Sequence, residues 1–151
     1  SVHNRRKSRA GLSLENHIET LLKYQNISYT HTPITENKSK PDFVFPCIEA
    51  YRDIDYPSVY LTMLGAKSTC KDRWRQVLSE ADRIEKKHLL TLESAISENQ
   101  TKEMIDKQLQ LVVPLQIHDT YSTVQRKWLY TVKMFFEDVK EKQKFYGSKM
   151  Q

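Results

Sequence analysis

The stretch Val59-Tyr60-Leu61-Thr62-Met63-Leu64-Gly65-Ala66-Lys67 is a continuous apolar run that ends on a lysine. Apolar residues on both faces of one strand mean that both faces are covered, so Val59–Ala66 reads as the buried central strand of a sheet. What surrounds it alternates between strand-like and helix-like patterns. Upstream, Pro41-Asp42-Phe43-Val44-Phe45-Pro46 is a short apolar strand bracketed by prolines, with one acid near its start. Downstream, Trp74, Val77, Leu78, Ala81 and Ile84 follow a 3.6-residue period, which predicts a helix over about Lys71 to Ile84.

The same reading extends to both ends. Leu14, Ile18, Leu21, Leu22 and Gln25 recur at helical spacing, so Leu12 to about Gln25 is expected to be an amphipathic helix, followed by a short strand through Ile27, Tyr29 and His31. Thr35–Lys40 is polar and turn-like, and Ile48–Ser58 is a looser stretch. His88–Leu92 and Leu109–Val113, the latter stopped by Pro114, read as strands. Ser97-Glu98-Asn99-Gln100 and Ser122-Thr123-Val124-Gln125 both fit the capping-box pattern. The second is expected to open a long helix carrying Val124, Trp128, Val132, Phe135, Phe136 and Val139 on one side, an aromatic stripe best explained as core. Alternating strands and helices predict an α/β fold, a central mixed β-sheet flanked by helices.

The bulk composition narrows the function classes. A chain of 151 residues is one domain by length, and its 38% hydrophobic and 28% charged residues suit a soluble globular protein. No apolar run approaches the roughly 20 residues of a membrane span. Basic residues near the N-terminus have no apolar stretch behind them, so no secretory signal is read there. Two cysteines, Cys47 and Cys70, make neither a disulfide framework nor a zinc site, and a cytoplasmic location is expected. Of the formal net charge of +5, Arg5, Arg6, Lys7 and Arg9 supply four with no acid among them. Residues 1–11 thus read as a basic N-terminal arm on a nearly neutral domain at 12–151, an arrangement suited to a polyanion.

Asp42 opens one apolar strand and Lys67 closes the next, 25 residues later. Hydrolysing a phosphodiester at neutral pH calls for a cation that neutralises the phosphate and generates hydroxide from water. Mg2+ takes hard oxygen ligands, usually one or two carboxylates with water and substrate phosphate completing the shell. A lysine beside it can orient the nucleophile and offset developing charge. The PD-(D/E)xK pattern of nucleases would place a second acid two residues before the lysine, but that position is Gly65. Glu80, 13 residues after Lys67, is the substitute, expected on the polar face of the Lys71–Ile84 helix and leaning back over the strand end.

Several blocks carry a resemblance: Asn4–Gly11 (NRRKSRAG), Pro41-Asp42-Phe43, Leu64–Asp82 (LGAKSTCKDRWRQVLSEAD), Lys87–Leu92 (KHLLTL), Ser97–Gln100 and Leu111–Pro114. Together they resemble the C-terminal catalytic domain of EcoRII-type restriction endonucleases, over roughly Asn4 to Pro114. That resemblance implies a restriction-endonuclease-like fold, with Asp42 and Glu80 as Mg2+ ligands, Lys67 as the catalytic lysine and Glu15 as a supporting acid. It implies that Lys71-Asp72-Arg73 reads sequence in the major groove. Lysine and arginine can donate to guanine O6 and N7, and aspartate can accept from cytosine N4. Arg75 and Gln76 are further candidates for DNA contact, as are Arg5, Arg6 and Arg9 in the arm. The function implied is type II site-specific, Mg2+-dependent hydrolysis of duplex DNA at a CC-(A/T)-GG-like site, leaving 5′-phosphates. A near-palindromic target implies a homodimer. The full-length protein is expected to carry a separate N-terminal DNA-binding domain, which makes this chain an excised domain or a short stand-alone relative. Two other readings stay open. A repair or junction-processing nuclease of the same fold would keep Asp42, Lys67 and Glu80 without needing Lys71-Asp72-Arg73, and a non-catalytic DNA-binding module would need none of the site.

Overall fold

The computed structural model of the chain describes residues 2–71 and 73–150, the side chains of 2–12 and 150 excepted. Five strands form one sheet in the order β1-β2-β3-β4-β5: Thr30–His31, Phe43–Phe45, Thr62–Lys67, Lys87–Thr91 and Leu109–Val112. The β1–β2 and β2–β3 pairs are antiparallel, whereas β3–β4 and β4–β5 are parallel. The sheet is therefore mixed, as the alternation of patterns predicts. Its central strand is β3, buried on both sides as far as Ala66.

Period-two alternation sorts the strand residues onto two cores. Met63, Leu89, Leu109 and Leu111 point to one face, where they meet Ile48, Ala50, Trp74, Val77, Met104 and Leu129. Leu64, Ala66, Leu90 and Val112 point to the other, against Leu14, Ile18, Leu22, Phe135, Phe136 and Val139. Helix α1 (Val2–Tyr24) and the first half of α5 (Val132–Met150) thus cover the second face. The first is covered by α2 (Ile48–Arg52), a 3-10 segment at Trp74–Ser79, α3 (Glu98–Asp106) and the end of α4 (Thr123–Trp128). No helix among the described residues is long and apolar enough to cross a membrane.

The elements differ from the periodicity in several places. The backbone of α1 is helical from Val2, ahead of Leu12, through a stretch that holds Arg5, Arg6, Lys7, Arg9 and Ala10, all good helix formers. Strand β3 starts at Thr62: Val59 is 68% exposed in a 3-10 turn, so the apolar run is longer than the strand it contains. The looser stretch holds α2, whose Ile48, Ala50 and Tyr51 are buried.

The long helix expected after Ser122 is two helices. The capping box at Ser122 and Gln125 is formed in both directions, but α4 stops at Trp128. The chain then passes the edge of β5, where Tyr130 bridges Val112: Val113 N donates to Tyr130 O at 2.9 Å and Tyr130 N to Leu111 O at 3.1 Å. Leu129 and Phe135 consequently serve opposite cores, and Val124 is 72% exposed. A single helical stripe could not reach both faces of the sheet.

Candidate active site

Antiparallel pairing of Phe43 with Leu64 brings the start of β2 to the end of β3. Asp42, just before β2, and Lys67, the last residue of β3, therefore share one end of the sheet. The Asp42 carboxylate is fixed there by Ala66 N, which donates to its Oδ2 at 2.7 Å, while its main-chain carbonyl accepts from Thr32 N at 2.7 Å. Burial pushes the carboxyl above the ordinary range, and nearby Glu15 adds to the rise. The Ala66 N–H, Lys67 and His31 act against it.

Glu80 reaches the same place by a different route from the one its sequence suggests. No α-helix spans Lys71–Ile84. Trp74–Ser79 is a 3-10 segment, Glu80 itself is extended (φ −95°, ψ 146°), and Ala81 is left-handed (φ 52°). Trp74 and Val77, three residues apart, satisfy a 3-10 turn as well as an α-helical stripe, which is why periodicity could not separate them. The acid is thus presented by the loop that follows the segment, not by a helix face.

That segment also explains Gly65. A Cβ built on Gly65 would stand 3.1 Å from Val77 Cγ2 and 3.5 Å from Leu89 Cδ1. A side chain two residues before Lys67 would press on Val77, which would have to give by a few tenths of an ångström. Glu80 lies three residues beyond Val77.

Burial and the neighbouring Asp42 push the Glu80 carboxyl up to about 7, against the pull of Lys67 and Lys87. Its Oε1 is buried without a hydrogen-bond partner. Two mutually repelling carboxylates, one with an unsatisfied buried oxygen, make a donor set that a cation would complete. Two hard oxygen donors fit Mg2+, which needs only one or two carboxylates from protein. Among the described residues no group of three or more His, Cys, Asp and Glu side chains is placed to hold a metal ion, so the donor set here is two carboxylates.

Lys87, the first residue of β4, braces the loop that carries Glu80. Its side chain is buried, and Nζ donates to Ala81 O at 3.0 Å and Ile84 O at 2.5 Å. Arg83 ties the same loop to α2 through bonds to the carbonyls of Tyr51, Asp53 and Tyr56. The left-handed conformation at Ala81, unfavourable for a residue with a Cβ, is held by these contacts.

On the other side of Asp42, Glu15 projects from α1 to His31, with 2.8 Å between its Oε1 and His31 Nε2. His31 Nδ1 lies 3.3 Å from Glu19 Oε2, and Tyr29 OH donates to Glu19 Oε1 at 2.7 Å. The His31 ring stacks on Phe43 with centroids 4.7 Å apart. Glu15 is thus engaged in a network beside Asp42, not free in solvent.

Beyond Lys67 the chain turns out of the sheet. Lys71 and Arg73 are exposed on that turn, where the Arg73 guanidinium donates to Thr69 O at 3.0 Å. Asp72 lies outside the described residues, as do the side chains of Arg5, Arg6 and Arg9. Gln76 is exposed. Arg75 is occupied: its guanidinium pairs with Glu103 and lies 4.4 Å from the centre of the Trp74 ring.

Comparison with known proteins follows from this geometry. The family described as EcoRII C terminal matches residues 1–136. This chain belongs to the EcoRII C-terminal family. It is 46% identical over 140 residues to the type II restriction enzyme EcoRII of Escherichia coli, covering 92% of this chain and 35% of that protein. It therefore spans about a third of the length of that relative. Among solved structures, metal-depleted Ecl18kI in complex with uncleaved, modified DNA superposes with a TM-score of 0.82 at 20% identity, over 95% of this chain and 48% of the other. Metal-depleted Ecl18kI in complex with uncleaved DNA gives 0.81 at 22% identity, over 95% and 49%. These structures share the restriction-endonuclease fold with the EcoRII C-terminal chain.

Within the EcoRII C-terminal fold, three residues at or beside the site had no role assigned from sequence. His31 was read only as part of a strand, although a histidine next to the site's antiparallel hairpin is a signal in hindsight. Lys87 carries a clearer one, a lysine opening an otherwise apolar strand. Glu93 accepts from Cys70 N at 3.4 Å and Lys71 N at 3.3 Å, contacts that only the folded chain reveals. Tyr51 and Tyr56, in the looser stretch Ile48–Ser58, are buried in the core.

Proposed function

We propose that this chain is the nuclease part of a type II restriction endonuclease, hydrolysing duplex DNA at a CC-(A/T)-GG-like site to leave 5′-phosphates, with Mg2+ as cofactor. The observation that carries the reading is the half-buried Glu80 carboxyl beside Asp42 at the end of the Lys67 strand, its Oε1 without a partner. Glu80 and Asp42 would hold Mg2+. When bound there, Mg2+ would supply charge neutralisation for the phosphate and a more acidic water. Asp42 enters already oriented by the Ala66 N–H, so one of its oxygens is committed and the other is available. Glu80 must give up its proton, for which Lys67 and Lys87 already favour the charged form. Lys67 faces the same end of the sheet and would orient the attacking water and offset charge on the phosphate. Glu15 supports through His31, keeping that side of Asp42 ordered.

In the same reading, Lys71, Asp72 and Arg73 contact base edges in the major groove, while Arg5, Arg6 and Arg9 reach phosphates. Gln76 is free to contact a base or phosphate, but Arg75 must leave Glu103 to do so. The site works as a symmetric homodimer, one active site per strand, within the cytoplasm. The 46% identity to EcoRII over nearly the whole chain supports this specificity and the presence of further domains in the complete protein. A junction-processing nuclease would leave the exposed basic residues after Lys67 without a purpose. Incubating the protein with defined duplexes and Mg2+ tests the proposal. Cleavage confined to CC-(A/T)-GG duplexes is expected, and scattered cleavage or none would overturn it.

A further inference from the structure

The turn that leaves β3 carries the proposed base-reading side chains; Arg73 N and Trp74 N each donate to Cys70 O at 3.0 Å, and one acid from outside the turn adds to these bonds. Glu93, just past β4, accepts from both Cys70 N and Lys71 N through a single oxygen, at 3.4 and 3.3 Å. Its own placement is fixed twice: Glu93 N donates to Thr91 Oγ1 at 3.2 Å, and Tyr121 OH donates to Glu93 O at 2.5 Å. Thr91 Oγ1 also donates to Ser68 O at 3.3 Å, so the exit of β4 holds the turn at both ends. Tyr121 is itself buried, which makes it a firm post.

We propose that Glu93 is a positioning residue for sequence recognition, setting the backbone from which Lys71 and Arg73 reach base edges. The inference rests on the reading of the Lys71–Arg73 turn as the base-reading element. Bidentate readout requires donors placed to within a fraction of an ångström, which long, exposed side chains on an unanchored turn do not achieve. A carboxylate next to a DNA-facing turn repels phosphate, so its presence there works against non-specific affinity. What it provides in return is two main-chain bonds that no neutral apolar residue could make. Removing it would therefore loosen discrimination while leaving non-specific binding equal or tighter, a combination that simple loss of a DNA contact does not produce.

The test is equilibrium binding by fluorescence anisotropy, without divalent ion, to a CC-(A/T)-GG duplex and to one with an outer C·G pair exchanged. Lys71→Ala and Arg73→Ala are each expected to lower the cognate-to-exchanged affinity ratio by about tenfold or more. Glu93→Ala should lower the ratio by about fivefold to tenfold, with the exchanged duplex bound as well or better. Glu93→Gln keeps an acceptor oxygen and should stay within about twofold of the parent ratio. Tyr121→Phe, which removes only the post, should give a smaller loss and covers the case in which Glu93→Ala misfolds. An unchanged ratio in Glu93→Ala, with Lys71→Ala and Arg73→Ala both impaired, would overturn the inference and leave the base-reading assignment standing. Equal losses in Glu93→Ala and Glu93→Gln would overturn it in favour of direct base contact by the carboxylate. Unimpaired Lys71→Ala and Arg73→Ala would overturn both.

Discussion

Val77 Cγ2 lies 3.1 Å from the point where a Cβ on Gly65 would stand, so the position two residues before Lys67 is tightly packed without a side chain of its own. A side chain there would require Val77 to give by a few tenths of an ångström. Gly65→Ala is expected to destabilise the fold by about 1–3 kcal/mol, the usual range for overpacking a filled core. Adding Val77→Ala should recover part of that loss, as read by urea denaturation. Moving the acid back, as Gly65→Asp in a Glu80→Ala background, should not restore cleavage. A neutral Gly65→Ala would show that the segment yields freely.

Glu80 should make stability depend on pH in the direction opposite to a paired carboxylate. Folded, it keeps its proton up to about 7, whereas unfolded glutamate releases it near about 4.3. Between those values the native state binds more protons than the unfolded state, so stability falls as pH rises through the window and levels off above it. Denaturation of the parent protein at about pH 5 and about pH 8 should show this fall, and Glu80→Gln should reduce it. Mg2+ added at the higher pH should stabilise the parent more than the variant, by up to about 2.7 kcal/mol at a hundredfold excess over Kd.

Lys87→Met should separate the loop from the fold. Methionine fills the apolar part of the site but leaves the carbonyls of Ala81 and Ile84 without their donor. An expected cost of about 1–3 kcal/mol follows from two unsatisfied buried groups. Cleavage should fall by a larger factor than DNA affinity, because Glu80 is the residue released. Parallel losses in both would point to a purely structural lysine.

His31→Phe tests the Glu15 side of the site. Phenylalanine preserves the stack on Phe43 and removes the contacts to Glu15 and Glu19. The expected outcome is near-parental thermal stability with slower cleavage at limiting Mg2+. Unchanged rates would confine the His31–Glu15 contact to packing.

What the sequence made legible follows from which signals are local. The apolar strands and their flanking turns were readable, and with them the shared sheet end of Asp42 and Lys67. The second capping box at Ser122 was also readable, yet the helix it opens ends after one turn and a half, because Tyr130 pairs with β5 in a contact remote in sequence. Glu80 lies near Asp42 and Lys67 as its spacing suggests, but on a loop after a 3-10 segment and not on an α-helix. Apolar spacings of three and four residues fit both an α-helix and a 3-10 segment with a left-handed exit. Nothing in the local spacing separates the two. Lys87 and Glu93 act through main-chain partners, for which side-chain patterns carry no signal.

The most direct test of the whole account is the Mg2+-dependent cleavage rate of Glu80→Gln on a CC-(A/T)-GG duplex, measured beside its DNA affinity. The expected result is that cleavage is lost while affinity in the absence of divalent ion stays within about threefold of the parent, since the proposed role of Glu80 is to hold the cation and not to contact a base. Full cleavage by Glu80→Gln would contradict it and return the question of the second carboxylate to the start.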